Sequence, residues 1–226
     1  MSELRILVTG GTRGIGAAIC RHLQSHQLYV GGRDRAAVEQ ACSLYPKAAP
    51  FVCDLRDPAS IAQACKQVET LDVLVLNAGI ASPGNVSELT HEQWQDILTV
   101  NVVAQADLLR HLLPQLRRSH GLVVAINSGA GYRASAGSAA YSASKFALRA
   151  LTDALREEER GRVRVTSVHP GRVDTDMQRQ IQAHHARPYR GSDHLPAEAI
   201  AQAVATAVQM PPQAVVESIS VRPAAG

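Results

Sequence analysis

Short aliphatic runs alternate with longer segments of helical periodicity along this chain, and that alternation constrains the fold more than any other feature. The runs cover residues 4–9, 28–30, 49–53, 73–76, 122–126, 163–168 and 215–221. Parallel strands need long crossover connections, which are usually helices, so the pattern predicts repeated βαβ units. We therefore expect an α/β fold in a single domain over residues 1–226, with about seven parallel strands and helices on both faces of a doubly wound sheet.

Three predicted helices begin with capping signals. Asp34 is the expected N-cap of a helix that runs to about residue 44, and Asp57 followed by Pro58 marks the start of another. Thr90 and Gln93 form a predicted capping box. The capping box precedes a long predicted helix whose apolar residues recur at helical spacing: Trp94, Ile97, Val100, Leu108 and Leu112.

Composition excludes several classes of protein. The formal net charge is only +3, and Lys and Arg are scattered, so we expect no nucleic-acid partner. No apolar run approaches the roughly 18 residues that span a bilayer, so we expect no membrane contact and a cytoplasmic location. His169, His184 and His185 lack the spacing of metal ligands and are expected at the surface. The cysteines form no CxxC motif and are interpreted as reduced, buried apolar side chains that bind no metal: Cys20, Cys42, Cys53 and Cys65.

A glycine-rich turn follows the first predicted strand. Residues 9–16 read TGGTRGIG. Glycines between a strand and a helix let backbone N–H groups approach a pyrophosphate at the positive end of the helix. Glycines also serve ordinary tight turns, so the turn alone does not establish a nucleotide site.

Later motifs follow the predicted strands in a fixed order. Asp54 follows the third strand, residues 77–79 (NAG) the fourth, Ser128 the fifth and residues 170–171 (PG) the sixth, while residues 141–145 read YSASK. Together with the TGxxxGIG turn, these motifs resemble those of the short-chain dehydrogenase/reductase family, closely over residues 4–176. The resemblance implies a Rossmann fold and a nicotinamide cofactor. The cofactor contacts that it implies are Gly10, Thr12, Arg13, Gly14, Ile15, Gly16, Arg33, Asp54, Leu55, Asn77, Ala78, Gly79, Tyr141, Lys145, Pro170, Gly171, Val173 and Thr175.

Carbonyl reduction by hydride needs a proton donor, and Tyr141 is the candidate. Lys145 lies one helical turn away on the same face, where its charge is expected to lower the pKa of Tyr141. The resemblance implies that Ser128 orients the substrate oxygen and that Asn101 holds a water that links Lys145 to solvent; a helix-kink or capping role for Asn101 is the alternative. We therefore expect an oxidoreductase that transfers hydride between a nicotinamide and a small carbonyl or alcohol. The rival functions are an epimerase or dehydratase on the same scaffold and a non-catalytic cofactor sensor.

Cofactor preference depends on the end of the second strand. An NAD site places an acidic residue there, whereas this chain has Gly32 followed by Arg33. Arg33 and Arg13 suit a 2′-phosphate, so we expect NADP(H) to be preferred over NAD(H). The alternative is that Asp34 takes the role of the acid, which would favour NAD(H).

The substrate side and the assembly are less determined. Residues 177–195 have no core periodicity, and we expect a mobile substrate lid or loop there. Arg133, Arg187 and Arg190 are either contacts for an anionic substrate group or solvated surface side chains. The resemblance implies a homodimer or homotetramer through the helices near residues 90–116 and 138–158.

Overall fold

The computed structural model describes residues 3–184 and 188–224, which form a seven-stranded sheet. All neighbouring strands are parallel, in the order β3-β2-β1-β4-β5-β6-β7. The order reverses between β1 and β4, and such a reversal opens a crevice at the carboxyl ends of the strands. The strands are β1 (Arg5–Val8), β2 (Gln27–Gly32), β3 (Ala48–Val52), β4 (Val73–Leu76), β5 (Leu122–Ile126), β6 (Arg164–Pro170) and β7 (Ser218–Val221).

Helices cover both faces of the sheet, as predicted. Ile19 and Val204 pack on one face, and Leu108 and Leu112 pack on the other. The helices are α1 (Gly14–His22), α2 (Arg35–Cys42), α3 (Pro58–Cys65), α4 (His91–Leu98), α5 (Ala104–Arg118), α6 (Ala139–Glu158), α7 (Asp176–His184) and α8 (Ala197–Gln209). The α/β, doubly wound Rossmann prediction is therefore confirmed.

The predicted helix caps are present. The Asp34 carboxylate accepts a hydrogen bond from Ala37 N at 2.8 Å, and the Asp57 carboxylate accepts one from Ala59 N at 2.9 Å. The capping box before α4 is also formed. Each cap satisfies a backbone N–H that the first helical turn leaves unpaired.

Three strand boundaries differ by two residues or more from those predicted. β6 continues to Pro170 rather than ending at residue 168, because it pairs with β7 as far as Val221. β2 continues to Gly32 rather than ending at residue 30, because Gly31 and Gly32 pair with β3 and Gly31 allows a close backbone contact that a side chain would block. A Cβ at Gly31 would lie 2.8 Å from Val8 O. β7 begins at Ser218 rather than at residue 215 because this edge strand has β6 as its only partner, and the pairing starts with Ser167.

The long helix predicted after Thr90 is not continuous. A π-helical turn over Thr99–Val103 separates α4 from α5. Its middle residue, Asn101, is 1% exposed and bonds the backbone of Ile80, far away in the chain. The prediction of one regular helix was wrong here because a tertiary contact, invisible to periodicity, inserts into the helix.

Residues 177–184 and 188–195, the described parts of the predicted lid, contain more regular structure than a loop. This segment begins inside α7, which has one buried residue, the polar Gln182, and so has no apolar stripe to reveal it. The end of the segment is tied down, since Asp174 N donates to Leu195 O at 2.8 Å and Leu195 N donates to Arg172 O at 2.8 Å. Residues 185–187, including His185 and Arg187, lie outside the described residues.

The cysteines behave as small apolar side chains. Cys20, Cys53 and Cys65 are buried, Cys42 is partly buried, and all four are free thiols. Burial raises the pKa of Cys20 and of Cys65 to about 12. Within the described residues there is no cluster of three or more His, Cys, Asp or Glu suited to a metal, and none of the helices is both long and apolar enough to cross a membrane.

Candidate active site

A cleft of about 990 Å³ opens at the carboxyl ends of the central strands. It is lined by Ser128, Tyr141 and Lys145 and by every expected cofactor-contact residue except Gly16. Asn101 lies behind the cleft wall rather than in it. The topology thus brings together motifs that are up to 165 residues apart, from Gly10 to Thr175.

The glycine turn is shaped by two glycines in the left-handed backbone region. Gly10 has φ of 64° and Gly14 has φ of 54°, values that other residues rarely adopt. The turn leads directly into the N-terminus of α1, where backbone N–H groups are free to bind an anion. Gly16 has a packing role instead, since a Cβ there would lie 2.0 Å from Gly10 O.

Thr9 and Asn77 lock this turn to the end of β4. The Thr9 hydroxyl accepts hydrogen bonds from Asn77 N and Ala78 N, both at 3.0 Å. In return, Asn77 Nδ2 donates to Thr9 O at 2.8 Å and to Gly10 O at 3.1 Å. The two cleft walls are therefore fixed relative to each other, and the role of Thr9 was missed at the level of sequence because a threonine after a strand carries no distinctive signal.

Tyr141 and Ser128 both line the cleft and are in contact with each other. Burial raises the pKa of Tyr141, and a hydrogen bond with Ser128 offsets only part of that rise. The expectation that the pKa of Tyr141 is lowered was therefore wrong for the described protein. The physical reason is that burial removes the phenolate from water, and this desolvation is the largest effect on the pKa of Tyr141.

The Lys145 ammonium is buried and bound to the sheet. Nζ donates to Ile126 O at 2.8 Å, and the residue is 5% exposed. Burial lowers the pKa of Lys145 to about 8. The amine therefore remains mainly charged near neutral pH but titrates much more easily than a surface lysine.

Asn101 joins three parts of the cleft wall. Its Oδ1 accepts from Ile80 N at 2.8 Å, and its Nδ2 donates to Ile80 O at 2.9 Å and to Ser144 Oγ at 3.0 Å. A Cβ at Gly79 would lie 3.2 Å from Asn101 Oδ1 and 3.9 Å from Lys145 Nζ. Asn101 thus lies at an interruption of the helix, which is the alternative role considered for it in the sequence. It also lies close to Lys145, on the other side of Gly79.

The part of the cleft next to the end of β2 carries several charged side chains. Gly32 leaves no space for an acid, since a Cβ there would lie 2.6 Å from Val38 Cγ2. Arg33 lines the cleft and makes no ion pair within the described part of the chain, whereas Arg13 is 3.6 Å from Asp176 of α7. Asp34 is engaged as the cap of α2.

The residues after β5 and β6 and the start of α7 line another part of the cleft. Arg133 lines it, and Arg190 is exposed outside it. Sequence reasoning missed Arg172, which follows the PG pair. Three residues of α7 also line the cleft, at the start of the predicted substrate lid: Met177, Gln178 and Ile181.

His169 was wrongly expected at the surface. It lies on β6 and is 1% exposed, because β6 is covered on both sides of the sheet. His184 is exposed, as expected. His169 is adjacent to Pro170, so a buried titratable side chain lies immediately beneath the cleft.

Comparisons with known proteins agree with this geometry. The family model for short chain dehydrogenase matches residues 5–186. The 2,3-dihydro-2,3-dihydroxybenzoate dehydrogenase of Escherichia coli (strain K12) is 37% identical over 186 residues, which cover 80% of this chain and 73% of that protein. The alcohol dehydrogenase from the archaeon Thermococcus sibiricus, complexed with 5-hydroxy-NADP, has a TM-score of 0.89 and 25% identity, covering 97% of this chain and 96% of the other. A metagenomic short-chain oxidoreductase in complex with NADP has a TM-score of 0.82 and 30% identity, covering 99% and 98%.

Proposed function

The chain belongs to the short-chain dehydrogenase family of oxidoreductases, and we propose that it transfers hydride between NADP(H) and a small carbonyl or alcohol. The observation that carries this proposal is the placement of Ser128, Tyr141 and Lys145 in the same cleft as the glycine turn. A cofactor bound along the cleft would extend from that turn to the side chains that handle the proton.

The residues of the cleft fit a dinucleotide. The glycine turn offers backbone N–H groups at the start of α1 for the pyrophosphate. Pro170, Gly171 and Thr175 line the cleft after β6, and the nicotinamide would lie beside them. The related structures bound to NADP support the same assignment for this chain.

Three observations support NADP(H) rather than NAD(H). Gly32 cannot be replaced by an acid without displacing Val38. Arg33 is available to pair with a 2′-phosphate, and its planar fork suits phosphate oxygens. Asp34 already caps α2, so it would have to give up Ala37 N to bind a ribose hydroxyl.

The bound nicotinamide supplies the hydride, and the protein handles the proton. A phenol with a raised pKa stays protonated, so Tyr141 Oη is ready to donate to the oxygen of a carbonyl as charge develops there. The Ser128 hydroxyl would hold that oxygen in place. The positive charge of Lys145 stabilises the phenolate left on Tyr141, at a distance set by its bond to Ile126 O.

Reprotonation of Tyr141 needs a path to solvent. Asn101 Oδ1 and Lys145 Nζ both lie beside Gly79, 3.2 Å and 3.9 Å from the position that a Cβ would take there. We propose that this space holds the water that links Lys145 to solvent. The π-helical turn is then functional as well as structural, because it directs the Asn101 side chain to Ile80 and to this space.

A cofactor-consumption assay separates this proposal from its rivals. The protein is mixed with NADPH and a panel of aldehydes and ketones, and both the near-ultraviolet absorbance of NADPH and the products are followed. Loss of NADPH with formation of an alcohol supports the proposed function. Product without net loss of NADPH supports an epimerase or dehydratase, and NADPH binding without product supports a sensor.

A further inference from the structure

His169 is a buried titratable group for which the proposed chemistry has no use. Its Nδ1 lies 3.4 Å from Ser128 O, and its Nε2 lies 3.1 Å from the Tyr132 hydroxyl. The rings of His169 and Tyr132 are in contact, with centroids 4.5 Å apart. His169 therefore contacts the residues on both sides of a 3₁₀ turn, Gly129–Gly131, that follows β5.

The partners of the imidazole determine which nitrogen carries its proton. A backbone carbonyl only accepts hydrogen bonds, so the contact with Ser128 O requires a proton on Nδ1. In a neutral imidazole Nε2 is then an acceptor, and the Tyr132 hydroxyl is its donor. The two contacts are compatible only with this tautomer of the neutral ring.

The turn that His169 contacts determines where the Ser128 hydroxyl points. Ser128 Oγ accepts from Ala130 N at 3.1 Å within the turn, which leaves the hydroxyl proton for Tyr141. The turn packs tightly against α6, since a Cβ at Gly131 would lie 2.9 Å from Lys145 O. A small shift of the turn would therefore move Ser128 relative to both Tyr141 and Lys145.

Charged groups surround His169 on two sides. Arg149 and Asp153 approach from α6, and Arg222 approaches from the residues after β7. The Arg149 guanidinium lies 4.5 Å from the centre of the Tyr132 ring, and Arg222 Nη1 donates to His169 O. Burial and the two arginines lower the pKa of His169, against the opposing effects of its bond to Ser128 O and of Asp153. The ring is therefore neutral near neutral pH.

We infer that His169 is a positioning residue, which together with Tyr132 holds the turn of residues 128–132 so that the Ser128 hydroxyl points at Tyr141. This inference rests on the proposed function, because it assigns His169 a role in the step that Ser128 and Tyr141 perform. Loss of the connection would lower kcat and leave cofactor affinity unchanged, since neither His169 nor Tyr132 lines the cleft.

Two amide substitutions test the contact with Ser128. In His169→Asn the amide nitrogen takes the place of Nδ1 and still donates to Ser128 O, whereas in His169→Gln it takes the place of Nε2. We expect kcat to stay within about threefold of wild type in His169→Asn and to fall about tenfold or more in His169→Gln, with the Kd of NADPH unchanged in both. Equal losses in the two variants would show that His169 acts only by packing.

Tyr132→Phe tests the second contact. It removes the hydroxyl that pairs with Nε2 and keeps the ring, so the turn loses one of its two contacts, and kcat should fall about fivefold or more with the Kd of NADPH unchanged. Tyr45→Phe is the matched control, because the Tyr45 hydroxyl also makes a tertiary hydrogen bond, donating to Ala17 O at 3.4 Å, outside the cleft. A kcat in Tyr132→Phe that matches the kcat of wild type overturns the inference.

Nitrogen NMR of the imidazole provides a readout without turnover. Wild-type protein should show the tautomer with the proton on Nδ1. The opposite tautomer would overturn the inference whatever the activity. If the protein shows the predicted tautomer but reduces no carbonyl, the proposed function is overturned. The contact between His169 and the turn of residues 128–132 would still stand.

Discussion

Replacing Lys145 by Met should stabilise the free protein near neutral pH even though it removes a residue needed for activity. The substitution keeps an unbranched apolar stem and removes a charge that burial has made costly. The pKa of Lys145 falls from 10.5 to about 8 in the folded chain, and that difference corresponds to about 3 kcal/mol of unfavourable free energy while the amine is charged. Loss of the hydrogen bond to Ile126 O costs about 1 kcal/mol in return. The net gain in the free energy of unfolding is about 2 kcal/mol at about pH 7.

The sign of the pH dependence follows from the direction of the shift. Because the pKa of Lys145 is lowered on folding, the penalty is fully present below about pH 8 and disappears as pH rises towards 10.5. Wild-type protein should therefore gain stability relative to Lys145→Met over that interval. At about pH 10 the two proteins should be equal within about 1 kcal/mol.

Urea unfolding at about pH 7 and about pH 10 measures both quantities on the free protein. Comparing two variants at each pH cancels the titration of all other groups. Lys66→Met is the matched control, because Lys66 is exposed, and it should change stability by less than about 0.5 kcal/mol at either pH. If Lys145→Met were destabilised equally at both pH values, the assignment of a costly buried charge would be refuted.

Four further outcomes are expected. Tyr141→Phe should abolish carbonyl reduction and leave the Kd of NADPH nearly unchanged, because it removes the proton donor and little of the cleft surface; steady-state rates like those of wild type would contradict this. Wild-type kcat/KM should be at least about tenfold higher with NADPH than with NADH, and Arg13→Ala combined with Arg33→Ala should remove most of that preference while NADH turnover persists. Asp34→Ala should cost about 1 kcal/mol in urea unfolding through loss of the α2 cap and leave cofactor preference unaltered; a selective loss of NADH turnover would instead make Asp34 a ribose ligand. Residues 177–195 should gain hydrogen-exchange protection when NADPH and substrate bind, and equal protection in the free and bound protein would rule out a lid.

Periodicity and capping residues were sufficient to predict most of the fold. The seven strands and the caps at Asp34, Asp57 and Thr90 depend on local patterns, which a single sequence displays directly. The order of the motifs likewise predicted that Ser128, Tyr141 and Lys145 share a cleft, since the carboxyl ends of parallel strands meet at one edge.

The features that were missed depend on contacts between distant segments. The bonds from Asn101 to Ile80 interrupt a helix whose own sequence looks regular. The burial of His169 depends on the segments that cover β6 on both sides of the sheet. The direction of the pKa shift at Tyr141 depends on a balance between desolvation and charge, and helical spacing alone gives only the second of these.

The π-helical turn also makes the fold sensitive to the number of residues between α4 and α5. Each residue of a helix advances the side chain by about 100°, so an extra residue in one turn offsets the faces of α4 and α5 by that angle. Ile97 and Leu108 both face the core across this offset. Deleting the partly buried Val102 would restore a regular helix but rotate one of these faces towards solvent and separate Asn101 from Ile80. A one-residue deletion at residues 99–103 should therefore damage the fold more than the loss of any side chain there, although Val103 is 56% exposed.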